Sequence, residues 1–367
     1  MINNKKVVVG MSGGVDSSVA AALLKKQGYQ VIGVFMQFWF PQGEKYGENR
    51  CCSLEAHNEA KEVADILGIR IHKLNFGREF KKQIVDEFIS EYAGGRTPNP
   101  CVNCNKFIKF NLLWKKAQAL FGADYLATGH YARISREKIN SKSQRVNRPV
   151  KGKILRGKDK NKDQTYFLYG MDRKILPHLL FPLGHYSKER VRQLAKDFQL
   201  PVYDKKDSQE VCFVGSSVSD FLRKYLKMSP GPIIDMKTQK IIGEHRGLPL
   251  YTLGQRSGIG LSGGPWYVVG FDRQKNILSV TKNSSGQELR RKELFCHKVN
   301  WLNRPEEFPF ACQAQIRYQA KPVRCVVSRL GAKLKVDFSV GQRAVMPGQS
   351  VVFYQGDELL GGAIILK

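Results

Sequence analysis

The stretch at positions 7–18 constrains the fold of this chain more than any other part of the sequence. Its three consecutive valines, Val7–Val9, are typical of a strand that is covered on both faces. The segment Ser12–Gly14 then allows a tight turn whose backbone N–H groups approach an anion closely. A helix opens at Ser17, and Gly28 is placed to end it. Because such helix N-termini bind phosphate, the stretch predicts an α/β domain with an anion site.

The glycine-rich turn differs from the Walker A loop, since no Gly-Lys-Ser/Thr follows its glycines. The seven residues Ser-Gly-Gly-Val-Asp-Ser-Ser at positions 12–18 resemble instead the PP-loop of enzymes that split ATP into AMP and pyrophosphate. That resemblance implies an adenine nucleotide alpha hydrolase-like domain.

Strands and helices alternate from residue 1 to about residue 135. Expected strands are Val31–Met36, Ile69–Leu74 and Tyr125–Thr128, and expected helices run from Ser53 to about Leu67 and from Asn111 to about Phe121. This alternation predicts a doubly wound parallel sheet. Ligands of such sheets bind at the carboxyl ends of the strands, where the glycine-rich turn, Met36 and Gly129 all lie.

The rest of the chain changes character twice. Residues from about 165 to 210 have helical patterning, including Lys188–Asp197, and residues 215–285 are rich in glycine and short strands. Evenly spaced strands then predict a small C-terminal β-barrel, at Ala311–Tyr318, Pro322–Ser328, Lys333–Phe338, Ser350–Tyr354 and Gly361–Ile365. We therefore expect a catalytic domain at 1–210, a central β-rich linker domain at 211–285 and the barrel at 286–367.

The charge of the chain points to a polyanionic partner. Sixty Lys and Arg residues against 32 Asp and Glu give a net charge of +28. Between Arg133 and Lys162, twelve basic residues meet only Glu137 and Asp159, which predicts a charged hairpin or loop on the surface. Such a run is either a solvated face or a contact with a phosphate backbone, and its place beside the expected catalytic domain favours the contact. The sequence has no apolar run of about 18 residues and goes straight into its first strand. We expect a cytoplasmic protein without a membrane partner.

Cysteines mark a second region of interest. In Arg96–Asn105 two prolines are expected to hold the chain extended and to present Cys101 and Cys104. The Cys-x-x-Cys spacing fits half a zinc site, a redox pair or a coincidence, and the lack of a second such pair argues against structural zinc. Lysines near Cys212 favour a reactive thiolate at this position. An equally good interpretation is that Cys212 is a buried residue that fills space before Phe213.

Taken together, these segments resemble the bacterial tRNA-specific 2-thiouridylases over essentially the whole chain. The matching segments are 10–18, 96–110, 122–133, 162–168, 207–213, 253–256, 317–318 and 347–350. The resemblance implies an enzyme that replaces the oxygen at carbon 2 of the wobble uridine with sulfur, in the tRNAs for lysine, glutamate and glutamine.

The resemblance also assigns roles to residues. Adenylation by ATP converts a poor leaving group into AMP, and Mg²⁺ helps to shield the phosphates, with Asp16 a candidate on the metal side. The implied ATP-binding residues are Gly10, Met11, Ser12, Gly13, Gly14, Val15, Asp16, Ser17, Met36 and Gly129. Contacts with the tRNA anticodon loop are implied for Asn99, Pro100, Cys101, His130, Lys162, Asp163, Gln164, Arg317, Tyr318 and Gln349.

Sulfur transfer in the family uses two cysteines. Cys212 matches the residue that takes up a persulfide from a donor protein, a cysteine desulfurase or a sulfur-relay protein. Cys104 matches the nucleophile, and the two finish as a disulfide. Much of the family has Asp where this chain has Cys101, which leaves open an iron–sulfur cluster held by Cys101, Cys104 and Cys212. The persulfide route, which needs only two cysteines, is favoured.

Three other functions remain open at this point. A PP-loop enzyme that amidates or ligates a small molecule would not need the charge of +28 or the three cysteines. An enzyme that thiolates cytidine in tRNA would suit the Cys-x-x-Cys but leave the barrel matches unexplained. A non-catalytic RNA-binding protein with a nucleotide switch would show no turnover of ATP with tRNA.

Overall fold

The computed structural model describes residues 4–41, 53–136, 152–207, 211–215, 217–283 and 287–366. Its α-helices, in chain order, are α1 (Val15–Lys26), α2 (Leu54–Ile66), α3 (Gly77–Phe80), α4 (Asp86–Ala93), α5 (Pro100–Asn103), α6 (Trp114–Phe121), α7 (Lys188–Asp197) and α8 (Val218–Tyr225). π-Helical segments, Lys81–Val85 and Cys104–Leu113, join α3 to α4 and α5 to α6. Short 3₁₀ turns occupy Thr165–Phe167, Arg173–His178, Leu248–Leu250 and Gln287–Leu289.

The strands fall into three sheets. In chain order they are β1 (Lys6–Met11), β2 (Gln30–Gln37), β3 (Arg70–Asn75), β4 (Tyr125–Ala127), β5 (Ala132–Arg136), β6 (Gly152–Arg156), β7 (Leu179–Leu180), β8 (Gly231–Asp235), β9 (Ile241–His245), β10 (Tyr267–Asp272), β11 (Ile277–Thr281), β12 (Arg290–Trp301), β13 (Phe310–Gln315), β14 (Val323–Leu330), β15 (Lys333–Arg343), β16 (Ser350–Gln355) and β17 (Glu358–Ile365).

The first sheet is parallel and has the strand order β3-β2-β1-β4-β7. Side chains alternate between its faces, so that Val8 joins one buried cluster while Val7 and Val9 join another. A sheet with a core on each face is doubly wound, which confirms the fold class expected from the sequence.

The second sheet is small and mixed, with the order β10-β11-β8-β9. Its core consists of Ile233, Val268, Leu278 and Val280, and the turn around Leu248 packs against it. This sheet is the expected β-rich unit between the parallel sheet and the barrel.

The third sheet is antiparallel and closes on itself. Its strands follow the order β12-β15-β14-β13-β16-β17, and β17 pairs back with β12 to complete a barrel. Closure removes exposed edges from these strands. The expected barrel is therefore confirmed, with strand ends that shift by a few residues.

The charged hairpin has a place that sequence patterning did not predict. Strands β5 and β6 are antiparallel, and β6 pairs with β17 of the barrel through Leu155 and Glu358. The hairpin therefore connects the domain of the parallel sheet to the barrel. Residues 137–151 of the basic run lie outside the described residues.

Two expectations from the sequence were wrong in part. The segment 96–105 is irregular only as far as Asn99, because Pro100 begins α5 at the N1 position, where proline fits a helix. Consequently Cys101 is exposed but Cys104 is buried, with 8% of its surface accessible. The helical patterning at 165–210 gives a regular helix only at α7, since Pro177 and Gly184 favour short turns before it.

Candidate functional site

The turn between β1 and α1 forms a cradle, residues 10–17, around the N-terminus of α1. Gly13 has φ +69°, and a Cβ at this position would lie 2.2 Å from the carbonyl oxygen of Ala56. Gly14 caps α1, and its carbonyl accepts hydrogen bonds from the hydroxyls of Ser17 (3.1 Å) and Ser18 (2.9 Å). The turn is therefore fixed by glycine geometry and hydroxyl bonds, and it leaves a helix N-terminus facing the site.

Two neighbouring strands bring further residues to this cradle. Gly129, beyond the end of β4, lies so close to α1 that a Cβ there would be 2.8 Å from the backbone of Asp16. Met36, near the end of β2, places its Cε 3.5 Å from the Cβ position of Gly10. The residues expected to bind ATP thus meet at the carboxyl edge of the parallel sheet.

Asp16 is held by partners from distant parts of the chain. The hydroxyl of Tyr131 donates to its Oδ1 at 2.7 Å, and Nζ of Lys188 lies 2.8 and 2.9 Å from its two oxygens. Lys188 is buried, with 6% of its surface accessible. Burial, followed by the charge of Asp16, raises the pKa of Tyr131, so the phenol remains a hydrogen-bond donor.

The same lysine joins the cradle to a second acidic residue. Lys188 Nζ lies 2.7 Å from Asp207, which also accepts from Lys162 at 2.7 Å. Burial acts to raise the pKa of Asp207, but the hydrogen bonds and charges of Lys162 and Lys188 outweigh it and hold the pKa below its usual value. An alternating chain of charges, Asp16–Lys188–Asp207–Lys162, therefore borders the cradle.

The sequence reasoning did not select Lys188 or Tyr131, although Lys188 carries a signal. It lies in the first turn of α7, where the helix dipole disfavours a cation. It is also three residues before Val191 on the buried face of that helix. A lysine in both unfavourable positions requires a specific anionic partner.

Metal ligands are scarce near the cradle. Across the residues that the structure describes, no group of three or more His, Cys, Asp or Glu side chains is arranged to hold a metal ion. Asp16 offers one carboxylate, which suits Mg²⁺ held mostly by nucleotide phosphates and water. Within the described residues, Cys101, Cys104 and Cys212 are not arranged as such a group.

Cys104 and Cys212 border the same apolar cluster. Cys104 belongs to this cluster at the start of the π-helical segment, and half-buried Cys212 packs against it. The next residue, Phe213, is fixed by ring contacts with Phe88 (5.2 Å) and Phe221 (5.5 Å). The chain around Cys212 is therefore anchored in the core that also holds Cys104.

The barrel holds the segment that leads to the cysteines. Gln349 Nε2 donates to the carbonyls of Thr97 (3.0 Å) and Pro98 (3.4 Å). The N–H of Thr97 donates to Pro347 O at 2.9 Å. Gly348 has φ +89°, and a Cβ there would lie 2.8 Å from that of Arg96. Residues 96–99, followed by Pro100 and Cys101, are therefore positioned by contacts with the barrel.

Aromatic residues lie beside this segment. The ring of Tyr318 lies 4.5 Å from Phe167 and 6.3 Å from Tyr166, and burial raises the pKa of Tyr318. Tyr166 donates its hydroxyl to Ser350 O of the barrel at 3.0 Å. Arg317 is turned to the carbonyl of Ala344. An aromatic surface of this kind is suited to stack an unpaired base.

Three residues expected to bind tRNA make their observed contacts inside the protein. His130 is buried, its Nδ1 is 2.7 Å from Thr128 Oγ1, and burial with the charge of Lys109 lowers its pKa. Asp163 is also buried and accepts from Gly157 N at 2.9 Å, and burial raises its pKa. Gln164 Oε1 accepts from the N–H of Tyr131 at 3.0 Å. The hydrogen bonds of these three side chains therefore stabilise the protein around the candidate site.

Two carboxylates of the barrel pair with three residues of the basic run. Asp357 pairs with Arg133 at 2.6 Å and with Lys160 at 2.7 Å, and Glu358 pairs with Lys153 at 3.0 Å. In its described part, the basic run therefore helps to hold the parallel-sheet domain and the barrel together.

No helix within the described ranges is long and apolar enough to span a membrane.

Three family models match the chain in succession. They are described as tRNA methyl transferase HUP domain at residues 5–216, tRNA methyl transferase PRC-barrel domain at 219–282, and aminomethyltransferase beta-barrel domain at 291–365. Together they span nearly the whole chain.

Curated relatives match along their full length. A protein of Carboxydothermus hydrogenoformans named tRNA-specific 2-thiouridylase MnmA is 48% identical over 382 aligned residues, which cover 100% of this chain and 99% of the relative. A protein of the same name from Clostridioides difficile is 44% identical, and the alignment covers 100% of this chain and 99% of the relative. Another from Thermus thermophilus is 43% identical, and the alignment covers 99% of this chain and 95% of the relative.

Solved structures with a partial likeness are more distant. A 4-thiouridine synthetase–RNA complex with bound ATP has a TM-score of 0.37 and 16% identity, covering 60% of this chain and 50% of that one. The NMN synthetase of Francisella tularensis has a TM-score of 0.34 and 16% identity, covering 59% of this chain and 71% of its own.

Proposed function

The chain belongs to the family of the tRNA-specific 2-thiouridylases, which are tRNA sulfurtransferases, and from this premise we propose that it thiolates the wobble uridine of the tRNAs for lysine, glutamate and glutamine. When bound, ATP supplies the adenylyl group that turns O2 of the uridine into a leaving group, while Mg²⁺ shields the phosphates. The products are 2-thiouridine in the anticodon loop, AMP and pyrophosphate.

We assign ATP binding to residues 10–17 together with Met36 and Gly129. The support is the cradle itself: Gly13 and Gly129 lie where any Cβ would collide with backbone, so the chain packs closely around the N-terminus of α1, where an anion is favoured. Lys188 adds a buried cation that holds Asp16 in place. These are the features that a polyphosphate site requires.

We assign sulfur transfer to Cys212 and Cys104. A donor protein, a cysteine desulfurase or a relay protein, leaves a persulfide on Cys212. The terminal sulfur of this persulfide bonds to carbon 2 of the adenylated uridine, and the Cys104 thiolate attacks the inner sulfur. The S–S bond breaks, its electrons remain on the sulfur bound to carbon 2, and AMP departs as the thiocarbonyl forms. The resulting Cys104–Cys212 disulfide is reduced by a thiol reductant.

We assign the base-binding region to the surroundings of Asn99, Cys101 and Tyr318. A wobble base must be turned out of the anticodon loop before chemistry at carbon 2. The barrel fixes the 96–99 segment through Gln349 and places Tyr318 against Phe167 beside it. Lys162 and Arg317 add cations that neutralise phosphates. The proposal also retains the three domains at 1–210, 211–285 and 286–367.

The observation that carries the proposal is the full-length match to tRNA-specific 2-thiouridylases. The adenylation step is tested with unmodified tRNA that carries ¹⁸O at O2 of the wobble uridine. The AMP released during thiolation is expected to contain this ¹⁸O, because the bond from O2 to the α-phosphate persists when AMP leaves. Unlabelled AMP, or ADP and phosphate as products, would contradict adenylation, and a reaction without tRNA measures background hydrolysis.

A further inference from the structure

A polar pocket opens in the central unit, apart from the residues around Cys104. Its volume is ≈260 Å³, and its lining is formed by Ser219, Arg223, Arg246, Leu250, Tyr251, Gln255, Ser257 and Gly258. Ser219 and Arg223 are four positions apart and share one face of α8. The Leu253–Arg256 motif forms part of the rim, yet the proposed reaction leaves this motif without a role.

Positive charge dominates the pocket. Arg223 and Arg246 are both exposed, and neither guanidinium has a carboxylate partner within the parts of the chain that the structure describes. By contrast, Arg96 of the same fold pairs with Glu91 at 2.7 Å. Two guanidinium groups kept from internal ion pairs and facing one cavity form a site for an anion.

Hydrogen bonds within the protein hold the rim of the pocket in shape. Gln255 Oε1 accepts from Thr252 N at 3.0 Å, and its Nε2 donates to Ser257 O at 2.9 Å. The buried hydroxyl of Tyr251 accepts from the N–H of Arg246 at 3.3 Å. Because the loop is already held in shape, binding an anion requires little ordering of the backbone.

Among the described residues, none of those that line the pocket is acidic. On α8 itself, Asp220 directs its carboxylate to the Ser217 hydroxyl at the helix N-terminus, at 2.7 Å. Apart from the two arginines, the polar side chains of the lining are Ser219, Tyr251, Gln255 and Ser257. A described lining of guanidinium and hydroxyl donors that includes no carboxylate matches a phosphate group.

We infer that this pocket binds a backbone phosphate of the tRNA, at a contact separate from the reacting uridine. The inference rests on the proposed function, since tRNA is the polyanion that the enzyme must hold. A phosphodiester accepts bidentate hydrogen bonds from arginine and leaves its two ester oxygens to continue the RNA chain. A free phosphate ion has the same chemistry, so the test separates these two sources.

The test compares tRNA binding by Arg223→Gln and Arg246→Gln with that of Arg329→Gln. Arg329 is an exposed arginine on β14 of the barrel, so this control removes the same charge outside the pocket. Filter binding of unmodified tRNA is measured at several salt concentrations, and thermal melting checks folding. Each pocket variant is expected to weaken binding about threefold to tenfold and to lower the salt slope by about one, unlike the control.

Thiolation kinetics provide a second readout. The pocket variants are expected to raise KM for tRNA while kcat at saturating tRNA stays at the wild-type value, since the pocket is apart from the chemistry. Pocket variants that match Arg329→Gln in affinity, salt slope and KM would overturn the inference.

Titration with inorganic phosphate separates a free anion from RNA. If the pocket variants lose phosphate binding but keep wild-type affinity for tRNA, the pocket serves a free anion and the inference is wrong. If the wild-type protein itself neither binds nor thiolates tRNA, the proposed function fails instead.

Discussion

At the residue scale, Lys188 links two acidic residues on the side of the site proposed to bind ATP. It is buried, it contacts both oxygens of Asp16, and it reaches Asp207 at 2.7 Å. Asp16 lies in the first turn of α1, inside the cradle, while Asp207 belongs to the segment that leads to Cys212. One ammonium group therefore bridges two carboxylates and reduces their repulsion of each other and of an incoming phosphate.

The substitution Lys188→Met is expected to lower kcat/KM for tRNA-dependent AMP formation about a hundredfold, the order of loss when one preorganised charged donor is removed. The free energy of unfolding is expected to fall by about 2 kcal/mol. This loss is smaller than that for breaking a fully buried ion pair, because both carboxylates remain in contact with solvent. Lys196→Met, at an exposed position of the same helix, is the control. Equal AMP formation by the two variants would remove Lys188 from the mechanism.

His130 provides a pH test at the same scale. Burial, together with the charge of Lys109, holds the pKa of His130 well below its usual value near 6.5. Below that pH the unfolded chain gains a proton at this side chain and the folded chain does not. The stability that neutral His130 contributes is therefore complete above pH 6.5 and is lost progressively as the pH falls below it.

Urea unfolding of the wild type and of His130→Gln at pH 7.5 and 5.5 measures this contribution. The wild type is expected to lose about 1 kcal/mol more than the variant over this interval, since one unit of pKa corresponds to about 1.4 kcal/mol. His57 and His297, whose pKa values are also lowered chiefly by burial, remain in both proteins. Parallel losses in the two proteins would show that His130 is not the group involved.

At the element scale, the turn between β1 and α1 determines what the parallel sheet can bind. Two constraints act at Gly13, a left-handed φ of +69° and a Cβ position 2.2 Å from Ala56 O of α2. Gly331, in the turn between β14 and β15, has φ +58° but no atom within 4 Å of its Cβ position. Comparing substitutions at the two glycines therefore distinguishes the effect of backbone strain from the effect of close packing.

Gly13→Ala is therefore expected to destabilise the protein more than Gly331→Ala. Both variants acquire left-handed strain of about 1–2 kcal/mol, and only Gly13→Ala must also displace α2 or the turn. Equilibrium dialysis with ATP is expected to show at least about tenfold weaker binding for Gly13→Ala and wild-type binding for Gly331→Ala. Equal effects of the two substitutions on ATP affinity would contradict the role of the turn.

Most of the parallel sheet could be predicted from its sequence because apolar strands and amphipathic helices leave distinct periodicities. Ser53, for example, was expected to open a helix, and it caps α2 by accepting from Ala56 N. The helix at Pro100 was missed, because a proline before two cysteines is compatible with an extended chain and with a helix N1 position. The partners of Lys188 are 172 and 19 positions away, and local patterning carries no information about such contacts.

At the scale of the whole molecule, the barrel completes a site that the parallel sheet begins. Gln349 and Pro347 bond to Thr97 and Pro98, and Tyr166 donates to Ser350. The hairpin of β5 and β6 adds a second connection through β17. The segment before Cys101 is consequently held by a unit more than 200 residues further along the chain, which no sequence pattern near the cysteines reveals.

Gln349→Ala is expected to loosen this segment. Amide hydrogen exchange at residues 97–104, measured on the protein without tRNA, should become about tenfold faster because two hydrogen bonds to the segment are lost. Gln355→Ala, at an exposed position in the same barrel, should leave these amides unchanged. Unchanged exchange in Gln349→Ala would show that the barrel does not restrain the segment.

The central claim is that this enzyme makes 2-thiouridine at the wobble position with ATP and a persulfide on Cys212. The most direct measurement is nucleoside mass spectrometry of unmodified tRNA for glutamate, incubated with the protein, ATP, Mg²⁺, cysteine and a cysteine desulfurase. We predict 2-thiouridine that requires ATP and disappears with Cys212→Ser and Cys104→Ser, while both variants still bind tRNA. Full thiolation by either variant, thiolation without ATP, or a thiolated cytidine in place of uridine would contradict the account.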